Sequence, residues 1–334
     1  MENLVRRFNQ GFQAPLHTFF FVLCSMSFAV AQEQNASIEL GELKIEFKDN
    51  SESPAVLSGL QSLFNTKSSP GFDAFDPEGI GSSAGLNFEH IISGQQDANN
   101  KFTPRYGRYT LHRVDSNCVE LRRMREDSPW SISSSLRYTF VPPHYVDFRF
   151  RCIPHDRSRF GKRNYAIFFF ANYMNQVDQV GLNFRGKRSH SADEDWILGD
   201  APNKHPDYIG GGTYRHFQAK ALEYDDDHNF KLNVWSYEWP RFTKPFYFGR
   251  AGRGMTMMLM FNKTHSDWDE MRFSLFKFKV KDEVRKPAWD FQYVIRNVQE
   301  GHEYGFDGRM VWKQFVSADD CLGEYTVWAE RFSE

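Results

Sequence analysis

The sequence predicts an all-β protein: one antiparallel body of the sandwich or barrel kind that ends in a short helix. Aromatic residues make up 16% of the chain, with 33 Phe, 14 Tyr and 8 Trp, and such side chains favour pleated, half-buried surfaces. Short apolar-alternating runs recur from Asn87 to Phe315 at intervals typical of sandwiches and barrels. No linker interrupts that interval, so residues 87–334 are expected to form one domain.

The N-terminus has the pattern of a cleaved export signal. Two arginines precede an apolar run from Phe19 to Val30, and a small-x-small cleavage pattern ends at Ala31. The run is about a dozen residues long, shorter than the roughly 20 needed to span a bilayer. Residues 1–31 are therefore expected to be removed, and a retained anchor is the alternative. The product would be a periplasmic or extracellular protein that begins at Gln32 and has no membrane attachment.

The charge balance argues against general nucleic-acid binding. Without residues 1–31 the chain loses two of its 41 basic and one of its 43 acidic residues, which leaves 39 against 42 and a net charge of about −3. A local basic stretch from Arg149 to Arg163 is a feature that nucleic-acid proteins also have, but a solvated strand edge and loop explains it better. The oligomeric state is left open.

Neither cysteines nor acidic residues give a cofactor signature. Cys118, Cys152 and Cys321 remain after cleavage, so at most one internal disulfide can form, and its pairing is left open. Their spacings match no zinc motif, and no dinucleotide glycine fingerprint or phosphate loop occurs. The turn from Asp225 to Asp227 offers oxygen ligands to calcium but lacks the EF-hand spacing. We expect a solvated acidic turn there, no metal and no other cofactor.

Residues 32–86 are expected to form an N-terminal strand and a loop-rich segment. Ala36 to Asp49 alternates between apolar and charged residues as a first strand would. A short apolar stretch, Val56 to Phe64, follows. Asn65 to Gly85 then gathers Ser, Pro, Gly and Asp in the manner of a long loop.

The β body is predicted from strand-length apolar runs. These are Phe88 to Ile92, Arg108 to Arg113, Cys118 to Arg123, Ser134 to Val141, Tyr145 to Cys152, Tyr165 to Ala171, Val180 to Phe184, Phe230 to Trp235, Met255 to Phe261, Met271 to Val280, Phe291 to Arg296 and Met310 to Phe315. Strict alternation in the run that begins at Tyr145 indicates one buried face. In the run that begins at Met271 the apolar phase shifts at Leu275, which a β-bulge there would explain.

A helix is predicted chiefly at the C-terminus. Ser317 and Asp320 resemble a capping pair, and apolar residues from Cys321 to Phe332 follow at helical spacing. This helix is expected to dock on the β body as a lid.

Polar residues that could carry chemistry fall into three groups, and the first surrounds Glu89. In the segment from Asn87 to His90, strand alternation would put Phe88 and His90 on one side and Glu89 on the other. Glu89 and His90 would then be unable to act together on one substrate as base and acid. Glu89 is the better catalytic candidate, and a buried carboxylate that pairs with an arginine is the alternative.

The second group consists of aromatic and polar positions near strand ends. Sugars present flat C–H faces and rings of hydroxyls, so their sites combine aromatic platforms with polar side chains. The members are Trp130, His144, Tyr145, Asn172, Tyr173 and Asn175. We take His144 as a catalytic candidate and Trp130, Asn172 and Tyr173 as candidates for substrate binding. For each of them, a place at the core boundary with a wet polar end is the alternative.

The third group contains Asp290 and Gln292. These two residues share one face of a predicted strand, and the aromatic residues beside them share the other. If the aromatic side chains face the core, Asp290 and Gln292 face a cleft or solvent. Asp290 is therefore a candidate general base and Gln292 a candidate for substrate binding, with Arg105 and Arg149 as partners for a carboxylate or sulfate group. A structural carboxylate at position 290 is the alternative.

Five stretches of the chain carry a resemblance to known proteins: Asn87 to Ile91, Ser134 to Phe150, Phe168 to Tyr173, Lys244 to Gly249 and Pro287 to Val294. They are similar to a group of uncharacterised secreted bacterial proteins associated with the galactose-mutarotase-like supersandwich. The resemblance implies a large antiparallel two-sheet β-sandwich over roughly Asn87 to Phe315, with a sugar cleft on one concave face. Mutarotases use a Glu base and a His acid, but the local strings around these residues do not occur here, so no catalytic assignment is carried over.

Three functions of different classes are compatible with these features. The one we favour is an exported carbohydrate-active enzyme, epimerase-, lyase- or hydrolase-like, that acts on a sugar or polysaccharide by acid/base chemistry. The others are a non-catalytic glycan-binding module and a structural envelope protein. A deep cleft that holds a carboxylate beside a His or Tyr would favour the enzyme, and a large exposed apolar patch would favour the structural role.

Overall fold

The structure is a computed structural model that describes residues 32–33, 35–48, 59–76, 85–94, 104, 107–200, 211–226, 238–263, 269–277 and 287–332. Three predictions lie outside these residues: the signal peptide, the strand from Phe230 to Trp235 and the place of Arg105. The described part of the chain is dominated by antiparallel strands, which confirms the all-β fold class.

The strands, in chain order, are β1 (Gln32–Glu33), β2 (Asn35–Leu40), β3 (Leu43–Lys48), β4 (Gly59–Asn65), β5 (Asn87–Ile92), β6 (Thr110–Asp115), β7 (Cys118–Arg123), β8 (Ile132–Val141), β9 (Tyr145–Pro154), β10 (Ala166–Ala171), β11 (Val177–Lys187), β12 (Asp195–Gly199), β13 (Gly211–Arg215), β14 (Arg241–Phe242), β15 (Phe246–Ala251), β16 (Met255–Lys263), β17 (Glu270–Phe276), β18 (Ala288–Ile295) and β19 (Tyr304–Gln314). Among the described residues they form three sheets. The largest has eleven strands in the order β1-β6-β7-β8-β9-β19-β16-β15-β11-β12, with β14 paired to β11. The second has the order β13-β17-β18-β10-β5, and the third has the order β2-β3-β4.

An aromatic core fills the space between the eleven-stranded and five-stranded sheets. Phe170 of β10 stacks on Phe291 of β18 with ring centroids 4.8 Å apart. Phe306 of β19 meets both rings edge-on, and buried ring pairs of this kind add to the stabilisation that comes from apolar burial. One face of the five-stranded sheet therefore packs against this core, and the opposite face carries polar residues.

The alternation predicted for the run at Tyr145 is confirmed in β9. Val146, Phe148 and Phe150 are buried in the core, while Arg149 between them is exposed on the opposite face. The face of a strand that meets the core was therefore visible in the sequence, because side chains alternate strictly in an unbulged strand.

The single first strand predicted over Ala36 to Asp49 is wrong, because the chain forms a hairpin there. It turns at Gly41, whose φ of +65° lies in the left-handed region that glycine adopts without strain. Strands β2 and β3 pair on either side of the turn. Their apolar residues join the same core, with the Phe47 ring 5.1 Å from Tyr138 of β8.

The bulge predicted near Leu275 is also wrong. Strand β17 pairs in regular register with both of its neighbours through Phe276, where it ends. The shift in apolar phase thus reflects the end of the strand. A register shift does occur in the same sheet between β5 and β10, and it changes the candidate site.

The predicted C-terminal helix is confirmed as α1, Ala318–Glu330. The Ser317 hydroxyl accepts a hydrogen bond from the Asp320 backbone N–H at 3.0 Å, as a capping residue does. Cys321 and Trp328 are buried against Phe246, so α1 covers the face of the eleven-stranded sheet that points away from the aromatic core. In the part of the chain described, none of the helices has the length and apolar character to cross a bilayer.

Candidate functional site

The polar face of the five-stranded sheet is buried. On β18, Trp289, Phe291 and Tyr293 point into the core as predicted, so Asp290 and Gln292 point to the other face. That face was expected to meet a cleft or solvent, and this expectation is wrong: Asp290 is 2% exposed and Gln292 0%. Alternation gives the face of a side chain, whereas what covers that face depends on distant parts of the chain.

Asp290 is held by the chain that follows β10. Its Oδ1 accepts a hydrogen bond from the Asn172 backbone N–H at 2.8 Å. The Asn172 side chain donates to the Trp289 carbonyl at 2.9 Å and accepts from the Leu86 N–H at 2.8 Å. Both polar atoms of the Asn172 side-chain amide therefore bond to backbone groups, which fixes Asn172. Its backbone N–H in turn positions Asp290.

A β-bulge brings Glu89 and His90 to the same face. Phe169 pairs with His90 and Phe170 pairs with Phe88, which leaves Glu89 as the extra residue of the bulge. Phe88 stacks on Phe170 in the core, whereas the His90 ring stacks on Phe169 at 4.4 Å on the opposite side. The predicted separation of Glu89 from His90 is thus wrong: Glu89 Oε2 lies 3.2 Å from His90 Nδ1.

Glu89, Tyr173 and Asp290 form one buried polar group, which we call the carboxyl group site. The Tyr173 hydroxyl donates a hydrogen bond to Glu89 Oε1, and Glu89 is 5% exposed. Burial, then the charge of Glu89, raises the pKa of Asp290 well above its usual value, and the Asn172 N–H offsets this only in part. Asp290 is therefore a buried carboxyl that holds its proton more tightly than an ordinary aspartate does.

Gln292 is the next residue of β18 on the same face, and its side chain hydrogen-bonds to a neighbouring strand of the sheet. Its side-chain nitrogen donates to the Ser274 hydroxyl at 3.0 Å and lies 3.4 Å from the Thr213 hydroxyl. These cross-strand hydrogen bonds satisfy the Gln292 side-chain nitrogen, whereas its buried Oε1 has no hydrogen-bond partner among the described residues. Gln292 is thereby placed next to the carboxyl group site and is shielded from solvent.

His144 lies elsewhere, in the hairpin between β8 and β9. Its Nδ1 is 3.3 Å from Glu42 Oε2, and its Nε2 is 3.8 Å from Glu324 Oε1. Glu324 of α1 also accepts from the Tyr145 hydroxyl at 2.9 Å and from Lys313 Nζ at 2.5 Å. His144 therefore links α1 to the first hairpin and is separated from Glu89 and Asp290 by the sandwich.

The remaining sequence candidates do not converge on the carboxyl group site. Arg149 lies on the outer face of the eleven-stranded sheet and pairs with Asp307 at 2.7 Å. Trp130 is buried in the core, its ring 5.6 Å from Phe160. In the acidic turn, the carboxylate of Asp225 accepts from the Arg163 backbone N–H at 3.0 Å. Of the predicted site residues, the structure gathers Glu89, Asn172, Tyr173, Asp290 and Gln292.

Sequence reasoning missed an arginine cluster at the other end of the polar face. Glu270 of β17 binds Arg215 at 2.8 Å, Arg272 at 3.1 Å and Arg296 at 2.7 Å. Burial alone would raise the pKa of Glu270, but Arg272 and Arg215 hold it at about 2. The signal was available, because Glu270 and Arg272 alternate with Met271 and with other apolar residues in a strand that reads as core.

No protein-family model and no curated protein matches the chain. Among solved structures it is similar to an Escherichia coli K12 protein provisionally assigned as an aldose 1-epimerase, with 8% identity and a TM-score of 0.44 over 85% of this chain and 100% of that one. It is similar to an aldose epimerase homologue from C. elegans, with 11% identity and a TM-score of 0.42 over 86% of this chain and 100% of that one.

A heparan sulfate lyase from Pedobacter heparinus is also similar, with 10% identity and a TM-score of 0.43 over 83% of this chain. The chain spans about a third of that lyase, 34% of its length. Aldose epimerase homologues are the kind of protein that the sequence resemblance named.

Proposed function

We propose that this chain is an exported carbohydrate-active enzyme in which Glu89 and Asp290 act as base and acid on one sugar. The observation that supports this most directly is that the carboxyls of Glu89 and Asp290 are both buried on one face of the sheet, where burial and the charge of Glu89 raise the pKa of Asp290. A carboxyl whose pKa is raised by its environment is typical of a general acid. Tyr173, hydrogen-bonded to Glu89, would hold the carboxylate in a fixed orientation.

This pair supplies the two proton movements that opening a cyclic sugar requires. Glu89 takes the proton of the anomeric hydroxyl while Asp290 gives its proton to the ring oxygen, so that the ring C–O bond breaks and a carbonyl forms. Ring closure on the other face of the carbonyl returns both protons and gives the other anomer. An epimerase-like reaction therefore needs no group beyond these two carboxyls.

Both carboxyls are almost fully buried, so a sugar can reach the pair only if the residues around it move apart. Tyr173 is partly exposed and donates to Glu89, so it is the member of the carboxyl group site that reaches solvent. Exclusion of water strengthens electrostatic interactions within a site, and opening motions often gate such enzymes. We place the entry route beside Tyr173.

The test is an anomerisation assay on a panel of aldoses with the exported protein. Asp290→Asn and Glu89→Gln keep the shape of each side chain and remove its proton chemistry, so each is expected to lower turnover by about 100-fold or more. Glu120→Gln is the control. Glu120 is also a buried carboxyl, 5% exposed, but it lies on β7 of the eleven-stranded sheet and pairs with Arg122 and Arg137.

Two results would contradict the proposal. One is Asp290→Asn turnover equal to that of the unchanged protein. The other is an equal loss in Glu120→Gln, which would point to a general effect of removing buried carboxyls. Glycan binding on an array without turnover of any sugar would favour a glycan-binding module instead.

A further inference from the structure

Asn87 is a buried amide without a hydrogen-bond partner for its side chain. It begins β5, pairs with Ala171 of β10 and is 1% exposed. Among the described residues, neither the oxygen nor the nitrogen of its side chain has a partner. A buried polar atom left in this way costs folding free energy, so such atoms are rare in native proteins. An amide kept in this place therefore indicates a partner that the chain itself does not supply.

The Asn87 side chain lies on the polar face of the five-stranded sheet. Its neighbour Phe88 packs in the aromatic core, so Asn87 points the other way. Two more residues of this face have unpartnered buried atoms within the described part of the chain, Gln292 at Oε1 and Arg272 at Nε. They pair with each other across β18 and β17. The polar face thus has unused donor or acceptor atoms on three of its strands.

Asn87 and Asp290 stand on opposite sides of Ala171. Phe170 pairs with Phe291, so in an antiparallel ladder Ala171 comes opposite Asp290, as it comes opposite Asn87 on its other side. The backbones of Asn87 and Asp290 are then two strand spacings apart, about 10 Å. Ala171 has only a methyl group, so no long side chain of β10 stands between the amide and the carboxyl.

One pyranose ring matches the distance between this amide and this carboxyl. Two hydrogen bonds of about 2.8 Å each, with a pyranose ring between them, span a gap of this size. Phe169 lies two residues before Ala171 on the same face, and its ring stacks on His90. It offers an apolar surface to the C–H groups of a sugar. The polar face therefore has a polar group at either side of one sugar ring and an aromatic ring next to it.

We propose that Asn87 binds a sugar hydroxyl and thereby selects the substrate of the carboxyl group site: an aldohexose in its pyranose form with a hydroxyl on C3. The position on the ring rests on the proposed function, in which Asp290 gives its proton to the ring oxygen. The atom opposite the ring oxygen of a six-membered ring is C3, so the hydroxyl on C3 points to Asn87. A hydroxyl both donates and accepts, and the amide offers a partner for either role.

Calorimetric titration of the exported protein tests this contact with two pairs of probes. The pairs are D-glucose with 3-deoxy-D-glucose and D-galactose with 3-deoxy-D-galactose. In at least one pair we expect the complete sugar to bind about tenfold more tightly than its 3-deoxy analogue, the effect of one hydrogen bond to a buried group. In Asn87→Leu we expect the two members of that pair to bind with nearly equal affinity. A purely structural role of Asn87 would weaken both sugars alike and keep their ratio.

The stability of Asn87→Leu is a second measurement. Leucine is of similar size and has no polar atom to leave unpartnered, so the urea midpoint should stay equal or rise. Asn65→Leu is the matched control. Asn65 is also a fully buried asparagine on a strand, but its side chain accepts from the backbone N–H groups of Lys67 and Ser68 and donates to the Trp312 carbonyl. Asn65→Leu should lower the midpoint and leave the preference for the C3 hydroxyl unchanged.

A preference for the complete sugar that persists in Asn87→Leu would overturn the proposal. So would equal affinity within both pairs for the unchanged protein, or no binding of any of the four sugars. A urea midpoint lowered in Asn87→Leu as in Asn65→Leu would show that the amide has a structural partner, and this too would overturn it. The titrations measure no turnover: sugars that bind with the C3 preference and are not converted contradict the Glu89–Asp290 chemistry and leave the Asn87 contact in place.

Discussion

At the scale of single residues, Asp290 gains its chemical character from burial. After burial, the charge of Glu89 is the next cause of its raised pKa, and the hydrogen bond that Asp290 accepts comes from the Asn172 backbone N–H. An aspartate that paired with an arginine would have a lowered pKa, whereas the pKa of this one is raised. The pKa of Asp290 is raised above its ordinary 3.8, so the folded state binds a proton that the unfolded state releases.

Asp290→Asn should therefore change the pH dependence of stability. At low pH the carboxyl is protonated in both states, and an isosteric amide that still accepts the Asn172 N–H should match the unchanged protein within about 1 kcal/mol. Above about pH 4 the carboxyl of the unfolded chain releases its proton more readily than that of the folded chain, so the unchanged protein loses stability as pH rises toward the folded pKa. The variant lacks this loss, and urea unfolding at pH 4 and pH 7 should find it relatively more stable at pH 7. A difference that stays constant between the two pH values would contradict the raised pKa of Asp290.

The sequence predicted the face of Asp290 and Gln292 correctly because alternation is a local property. It placed His90 on the wrong face because Glu89 is an extra residue in the pairing of β5 with β10. No local sequence pattern marks such a bulge. The Glu270 cluster was visible only in part: Arg272 is two residues from Glu270 on the same strand, whereas Arg215 and Arg296 are 55 and 26 residues away from Glu270 in sequence.

At the scale of elements, the position of α1 is stabilised by its N-terminal cap and by the hydrogen bonds of Glu324. Ser317 accepts the Asp320 N–H at its start, and Glu324 binds Lys313 of β19 and the Tyr145 hydroxyl of β9. The helix was predictable because capping and helical spacing are local signals. Its docking face was not, because the apolar residues it covers lie on strands far away in sequence.

Ser317→Ala should destabilise the protein by about 1 kcal/mol, the usual cost of removing a serine cap. The exposed Ser189, in the turn after β11, is a suitable control, and Ser189→Ala should leave the urea midpoint unchanged. Equal midpoints for the two variants would mean that the cap does not contribute to stability.

At the scale of the whole molecule, strand content was predictable and strand order was not. Most predicted runs correspond to strands within a few residues, because period-two alternation is visible in short windows. The pairing of β9 with β19 and of β10 with both β5 and β18 joins segments that are far apart in the chain. No window of sequence carries that information.

We also predict that the exported protein begins near Gln32. Strand β1 starts at that residue, and Gln32 pairs with His112 at the edge of the eleven-stranded sheet. Cleavage after Ala31 would leave the new N-terminus directly at this strand. N-terminal sequencing or intact mass of exported material should find Gln32 or a close neighbour first, and material that starts at Met1 would refute the signal peptide.

The three buried cysteines of the described residues can report local unfolding of the molecule. Cys118, Cys152 and Cys321 lie on two strands of one sheet and on the helix that covers it, and all are free. Burial raises the pKa of each thiol, that of Cys321 to about 12, so thiol-specific reagents meet almost no thiolate while the fold is intact. The alkylation rate of each cysteine therefore measures how fast the strand or helix that carries it opens locally. A labelling experiment could follow the helix and the sheet separately without adding any probe.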